Sequence, residues 1–302
     1  MSSPQSEANR RHYQAGAAFG STNPSPEQGI EYHDIHWTGL TAEPHGVDYI
    51  EIEAAGTRAM WVVPHGCAQD RVLMYSHGGG FVGGSISTHR KLAAHLAKAT
   101  GCRALIYEYA YAHQHKFPHQ LNTAFAVYRW LLEHVRPGHV ALAGDSAGGT
   151  LTMGVLLEAR NAKVPLPAAA LCISGWFDMT VSAHSYETNA EKDPFFQRAV
   201  VDWLAMNICG EANRQNPLAS PLHADLHGLP PLYLQAGSAE TLVDETRMLA
   251  DRAHRAGVEA RVDVFPDMLH SFQMMAGRAP EADDAIAKLA QWVRPKLGLP
   301  AR

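Results

Sequence analysis

The chain repeats one beat: a short apolar, often β-branched run, then a loop, then a segment with helical periodicity. RVLMYS (71–76) precedes a glycine loop and STHRKLAAHLAKATG (87–101), and CRALIYEY (102–109) precedes a polar loop and FPHQLNTAFAVYRWLLEHV (117–135). HVALA (139–143) leads through GDSAGG into TLTMGVLLEARNA (150–162), and AAALCIS (168–174) into an irregular stretch. PLYLQAG (231–237) is followed by DETRMLADRAHRAG (244–257), and ARVDVF (260–265) by a loop and DDAIAKLAQWV (283–293). Strands that alternate with crossover helices pair in parallel, and the helices then cover both faces of the sheet. The expected fold is α/β, a mainly parallel sheet flanked by helices, with sites beyond the carboxyl ends of the strands. That rule gathers loops 77–84, 109–117, 144–149, 175–180, 238–243 and 266–272 on one rim.

Two segments break the beat, residues 1 to about 40 and about 179–217, both rich in helix formers and aromatics and without a strand pattern. The expectation is one domain over 1–302 with these segments as a small helical cap above the rim. With 46% hydrophobic and 18% charged residues there is ample material to bury. A net charge of −5 and no basic stripe argue against nucleic acid as a partner. The start, MSSPQSEANRRHYQ, does not read as a secretory signal, and no run reaches the roughly 18 apolar residues of a membrane span, so the expected location is cytoplasmic. Cys67, Cys102, Cys172 and Cys209 lie far apart with no CxxC, and read as small hydrophobes rather than a disulfide frame or a zinc site.

Acyl transfer to a hydroxyl needs a positioned nucleophile, a base, an acid that holds the base's tautomer, and backbone donors for the developing oxyanion. Each has a candidate on the rim. Ser146 sits in a G-x-S-x-G turn between a strand and a helix, where glycines at the flanking positions permit a sharp bend. HGGGF (77–81) follows a strand one βα unit upstream; the amides of Gly79 and Gly80, with that of Ala147, are candidate oxyanion donors. His270, in PDMLHSF, follows the last strand and is the candidate base; the order serine, acid, histidine suits this type of turn. Two carboxylates follow PLYLQAG. Asp244 opens a helix in T-L-V-D-E, where Thr241 can cap and a first-turn role accounts for the acid; Glu240 lies in the loop itself and is the favoured orienter of His270.

HGGGF with GDSAGG, a late acid and a late histidine resembles the hormone-sensitive-lipase-like carboxylesterases, the GDXG group of α/β-hydrolases, from about residue 60 onward. The resemblance implies an α/β-hydrolase fold, a helical cap, no cofactor, and hydrolysis of short- to medium-chain acyl esters through a Ser-His-acid triad. In that family the acid commonly opens a D-P-L-x-D stretch thirty residues before the histidine, which points to Glu240 in E-T-L-V-D (240–244), with Asp244 matching the second, noncatalytic acid. Two stretches depart from the family pattern. YAYAHQHKFP (109–118) stands where the family has Y-R-L-A-P-E-H-x-F-P, so that Ala110 and Gln114 replace an arginine and a glutamate; SGW (174–176) replaces the frequent SPW. The HxH in the first departure lacks a partnering carboxylate or cysteine and reads as a polar loop, not a metal site.

Trp176 and Phe177, next after the strand AAALCIS, are the expected pocket wall beside Ser146, with Phe195, Phe196, Trp203 and Met206 in the cap. Such a wall suits an uncharged ester or lactone. A lactone hydrolase would use the same machinery; a ligand-binding protein resembling the plant gibberellin receptors would have an altered triad histidine, and amide hydrolysis would need better leaving-group protonation. An exposed final strand (260–265) is an edge through which two copies would pair as a homodimer.

Overall fold

The computed structural model describes residues 2–301. Its strands are β1 (Val47–Ala54), β2 (Thr57–Pro64), β3 (Ala68–Ser76), β4 (Cys102–Tyr107), β5 (Val140–Asp145), β6 (Ala169–Ile173), β7 (Leu232–Gly237) and β8 (Ala260–Phe265). They form one sheet in the order β1-β2-β4-β3-β5-β6-β7-β8. β2 runs antiparallel to β1 and β4, and every other pair is parallel. The strands β5, β6 and β7 are buried along their whole length, as a parallel sheet covered on both faces demands.

The helices are α1 (Glu7–Gly20), α2 (Pro26–Trp37), α3 (Ile86–Thr100), α4 (His119–Leu132), α5 (Ala147–Asn161), α6 (Ser185–Thr188), α7 (Arg198–Cys209), α8 (Val243–Arg255) and α9 (Pro280–Lys296). On one face of the sheet α3 packs against α9, while α5, on the other, packs against α4 and against β5 and β6. Local chemistry fixes several boundaries. Ser85 caps α3 in a reciprocal box with Thr88, and Gly101 ends that helix in the left-handed conformation. Ser25 caps α2 with Gln28, and Pro26 pre-sets its first turn.

The alternating beat matches six strands and five helices to within a few residues. Three details differ. The β1–β2 hairpin lies ahead of the beat and turns through Ala55 and Gly56, both at positive φ (52° and 78°). Helix α5 starts at Ala147, directly after Ser146 and without a polar loop between. Thr241 does not cap α8: the cap position is Leu242, and the Thr241 hydroxyl instead donates to Phe196 O at 2.6 Å. Both segments outside the beat are helical, with α1 and α2 in the first and α6 and α7 in the second. They meet through aromatic contacts, among them Tyr13 with Phe195 and Phe196. Among the described residues no helix is long and apolar enough to cross a membrane.

Candidate active site

Ser146 joins β5 to α5 at φ 53°, ψ −121°, a conformation costly for any residue with a Cβ. It is held from both sides: its N–H donates to Ile173 O at 2.9 Å, and its carbonyl accepts from Gly149 N at 2.9 Å and Trp176 N at 3.1 Å. The flanking glycines answer to space. A Cβ on Gly148 would overlap the Ser76 carbonyl of β3, and one on Gly144 would overlap the Gly148 carbonyl. The serine is thus presented at the carboxyl end of the central strands, 5% exposed.

Asp145, the residue before it, is fully buried and organises the glycine loop. Its carboxylate accepts from Gly78 N (2.9 Å), Tyr75 Oη (2.7 Å) and Ser271 Oγ (3.3 Å), and lies 3.4 Å from His89 Nε2. Burial alone pushes its carboxyl upward, but His89, the Tyr75 hydrogen bond and the charge of His270 outweigh burial and hold it below the usual aspartate range. With the Gly78 amide engaged, those of Gly79, Gly80 and Ala147 meet no acceptor among the described residues. Gly79 and Gly80 are both at positive φ (115° and 61°), which turns successive amides toward one side.

His270 is fixed through its neighbours. The Tyr13 hydroxyl of α1 donates to His270 O at 2.9 Å, Ser271 N donates to Ser174 Oγ at 2.9 Å, and Phe196 lies over the imidazole at 4.1 Å between centroids. Ser271 is bonded to Asp145, so the residues adjoining His270 and Ser146 are themselves joined. Nδ1 of His270 lies 3.5 Å from Glu240 Oε2, both side chains being buried, and neither imidazole nitrogen nor either Glu240 carboxylate oxygen makes a hydrogen bond among the described residues. Asp244 is turned away: it pairs with Arg247 at 2.8 Å on the outer side of α8. Of the two carboxylates after β7, Glu240 alone is brought to His270.

Sequence reasoning missed the groups that hold this acid. Asn189 donates to the carbonyls of Glu240 (2.8 Å) and Ser238 (3.0 Å). Asp193 accepts Thr241 N on one oxygen and the amides of Phe195 and Phe196 on the other, each at 3.0 Å. One buried carboxylate therefore ties the aromatic pair beside His270 to the loop that carries Glu240. Glu245, also unanticipated, accepts from the amides of Phe177 (2.6 Å) and Asp178 (3.0 Å) and fixes the turn after β6. A buried Asp after the nucleophile's glycine was a legible signal; contacts made across 48 or more residues were not.

A cavity of about 690 Å³ opens beside Gly79 and Gly80, walled by α1, α2 and the 194–207 stretch. Phe195, Phe196 and Trp203, expected only as cap residues, line it, whereas Trp176 and Phe177, the expected pocket wall, are not among its lining residues. Trp176 and Phe177 point into the body instead. Phe177 fills the space above Gly149 and Gly175, which lack a Cβ there, and the Trp176 indole donates to Asp178 O at 3.2 Å. The departing loop 109–118 is secured by hydrogen bonds, with no ion pair among the described residues. Gln120 donates to Ala110 O and His115 O, Ala112 N to Phe81 O, Phe117 N to Ile208 O, and Tyr111 Oη to Gly84 O.

A parallel sheet with a strained serine at a strand-to-helix turn and a histidine-carboxylate pair beyond the last two strands defines an α/β-hydrolase. The α/β-hydrolase-fold family model matches residues 73–274, and the chain belongs to this family, in its bacterial hormone-sensitive-lipase branch. It is 38% identical over 242 residues, 80% of either chain, to an acetyl-hydrolase of Streptomyces hygroscopicus. It is 29% identical over 243 residues, again 80% of either chain, to an esterase of Acinetobacter venetianus. A crystal structure of an esterase from the bacterial hormone-sensitive lipase family superposes with a TM-score of 0.94 at 38% identity, covering 99% of this chain and all of that one.

Proposed function

We propose that the protein is a serine carboxylesterase acting on short- to medium-chain acyl esters, with Ser146, His270 and Glu240 as its triad. Glu240 holds the proton of His270 on Nδ1, which leaves Nε2 as the base. His270 takes the Ser146 proton as Oγ attacks the ester carbonyl; the amides of Gly79, Gly80 and Ala147 stabilise the oxyanion, and the same imidazole then protonates the departing alcohol. Water, deprotonated in turn by His270, attacks the acyl-serine and releases the acid. The single observation that carries this reading is the convergence of three loops: a strained serine, a buried histidine-carboxylate pair at 3.5 Å, and three backbone amides without acceptors. Relatives named esterase and acetyl-hydrolase support it.

The 1–40 and 179–217 segments act as the cap in this reading, because Tyr13, Asp193 and Phe196 reach the histidine and acid loops from them. Two copies would pair through β8, the end strand of the sheet, whose strand partner among the described residues is β7; sedimentation at micromolar concentration distinguishes a dimer from a monomer. The catalytic test is hydrolysis of p-nitrophenyl esters from acetate to laurate, and of a simple lactone, by parent and Ser146→Ala. Turnover by the parent that Ser146→Ala abolishes is the expected result. A parent that cleaves nothing overturns the reading.

A further inference from the structure

The loop that carries Gly79 and Gly80 is held under strain. Gly79, Gly80, Phe81 and Gly84 are all at positive φ (115°, 61°, 61° and 81°), and Phe81 lacks a glycine's freedom there. Such a backbone persists only where its surroundings over-determine it. The body supplies part of the hold: Asp145 accepts the Gly78 amide, Tyr109 Oη donates to His77 O, and Ala112 N donates to Phe81 O, the last two at 2.7 Å. Gly79 is held from within the loop. Its carbonyl accepts from Val82 N and Gly83 N, both at 3.0 Å, and a Cβ on it would overlap the Gly83 carbonyl. The position of Gly79 therefore follows that of Gly83.

Gly83 in turn lies under the cap. The imidazole of His33, on α2, fills the space that a side chain on Gly83 would need, with Nδ1 foremost. That nitrogen is buried and makes no hydrogen bond among the described residues, so the contact is packing and not pairing. Burial first, then the charge of a neighbouring histidine, lowers His33 to about 4, as it does His12. The ring that meets the loop is thus uncharged at neutral pH. Two neighbours on α2 reach the same structure. Asp34 Oδ1 accepts from Ser85 Oγ at 2.8 Å, Ser85 being the cap of the helix that follows the loop, and Trp37 lies 5.9 Å between centroids from His89, which adjoins Asp145. From the second cap segment Leu204 of α7 covers Gly80, where a Cβ would stand 3.1 Å from both of its methyl groups.

Resting on the esterase reading, we infer that His33 is a positioning residue for the oxyanion donors: its ring, seated on Gly83, keeps Gly79 and Gly80 where their amides meet the developing charge. Such donors stabilise a transition state only when they already point at the place the oxyanion will occupy. A shift of Gly83 passes to Gly79 through a hydrogen bond and a carbonyl contact. The cap then serves the chemical step as well as the enclosure of substrate.

The three atoms nearest a Cβ on Gly83 all belong to His33, and the backbone there is not left-handed, so alanine meets an obstacle that His33→Ala removes. The test compares parent, His33→Ala, Gly83→Ala and the double variant on p-nitrophenyl acetate and hexanoate. Each is also inhibited with a short trifluoromethyl ketone, whose carbonyl adds Ser146 Oγ to give an oxyanion, and with the methyl ketone of the same chain, which reads the pocket alone. Gly83→Ala is expected to lower kcat at least about tenfold for both esters with KM within about threefold, to weaken the trifluoromethyl ketone by a similar factor, and to leave the methyl ketone unchanged. In the His33→Ala background the same substitution changes kcat by less than about threefold. His33→Ala by itself lowers kcat and trifluoromethyl ketone affinity together, by about three- to tenfold, and decides the matter should Gly83→Ala fail to fold. A Gly83→Ala factor that is the same with and without His33, or His33→Ala losses confined to KM and methyl ketone binding, overturns the inference and leaves the esterase reading standing. A parent that cleaves no ester and binds both ketones alike removes the esterase reading, and this inference with it.

Discussion

Replacing Glu240 by glutamine tests the proposed mechanism most directly. The substitution preserves volume and removes the charge beside the imidazole, with one of the two carboxylate oxygens replaced by an N–H donor. In the transition state His270 becomes an imidazolium 3.5 Å from Glu240, with neither group in contact with solvent. At that distance, with an effective dielectric of about 20, the attraction is about 5 kcal/mol. At 1.36 kcal/mol per factor of ten this corresponds to between three and four orders of magnitude in kcat, since the ground state carries a neutral imidazole and does not share the interaction. Glutamine also presents an N–H that favours the wrong tautomer, which acts in the same direction. The assay is p-nitrophenyl acetate hydrolysis by parent, Glu240→Gln and Asp244→Asn, with thermal unfolding of each to show that the fold is kept. Asp244→Asn removes a part-exposed pair with Arg247 and is expected to stay within about twofold of the parent. A Glu240→Gln enzyme within tenfold of the parent, or an inactive Asp244→Asn, refutes the assignment of the acid.

Asp145→Ala strands the Gly78 amide, the Tyr75 hydroxyl and His89 in the core; a loss of about 3 kcal/mol or more is expected, seen as a fall in melting temperature of roughly 6 °C together with loss of esterase activity. Trp176→Ala opens a void in the body, not the cavity, so it should cost about 3–5 kcal/mol in urea unfolding while the ranking of esters by chain length stays that of the parent. Asp193→Asn weakens the tie between the Phe196 turn and the Glu240 loop; kcat is expected to fall by about tenfold with KM nearly constant, and a change confined to KM would assign Asp193 to substrate binding instead. His12 and His33 are held near 4 in the folded chain, against about 6.5 when unfolded. The unfolded chain therefore binds protons that the folded one refuses, and stability falls as pH drops from about 6.5 toward 4. Melting temperature measured across that window should flatten in a His12→Gln, His33→Gln double variant, and an unchanged slope would show that other groups carry the acid sensitivity.

Much of this site was legible because local chemistry demanded it. Gly144 and Gly148 flank Ser146 because carbonyls crowd the positions their side chains would fill, so the motif itself reports a tight strand-to-helix turn. Alternation of apolar runs with helical periodicity dictated a parallel sheet, and with it the rim on which the serine, histidine and carboxylate loops had to lie. The β1–β2 hairpin was also written in the chain, as the alternation VDYIEIEA before an Ala-Gly turn, but it lies outside the repeating beat. The preference for Glu240 over Asp244 came from the sequence, through a first-turn role for Asp244 behind a Thr241 cap; the structure moves the cap to Leu242, and there Asp244 faces Arg247 while Glu240 faces His270. Tertiary structure alone decided the rest. Aromatic residues have the same composition whether they face a cavity or fill the core, so Trp176 and Phe177 could not be told from Phe195 and Phe196 until the glycines at 149 and 175 admitted the Phe177 ring. The supports of the site, Tyr13 on His270, Asn189 and Asp193 on the Glu240 loop, join segments 48 to 257 residues apart. Hydrogen bonds of that kind depend on where the chain returns in space, and no local pattern of residue types encodes it.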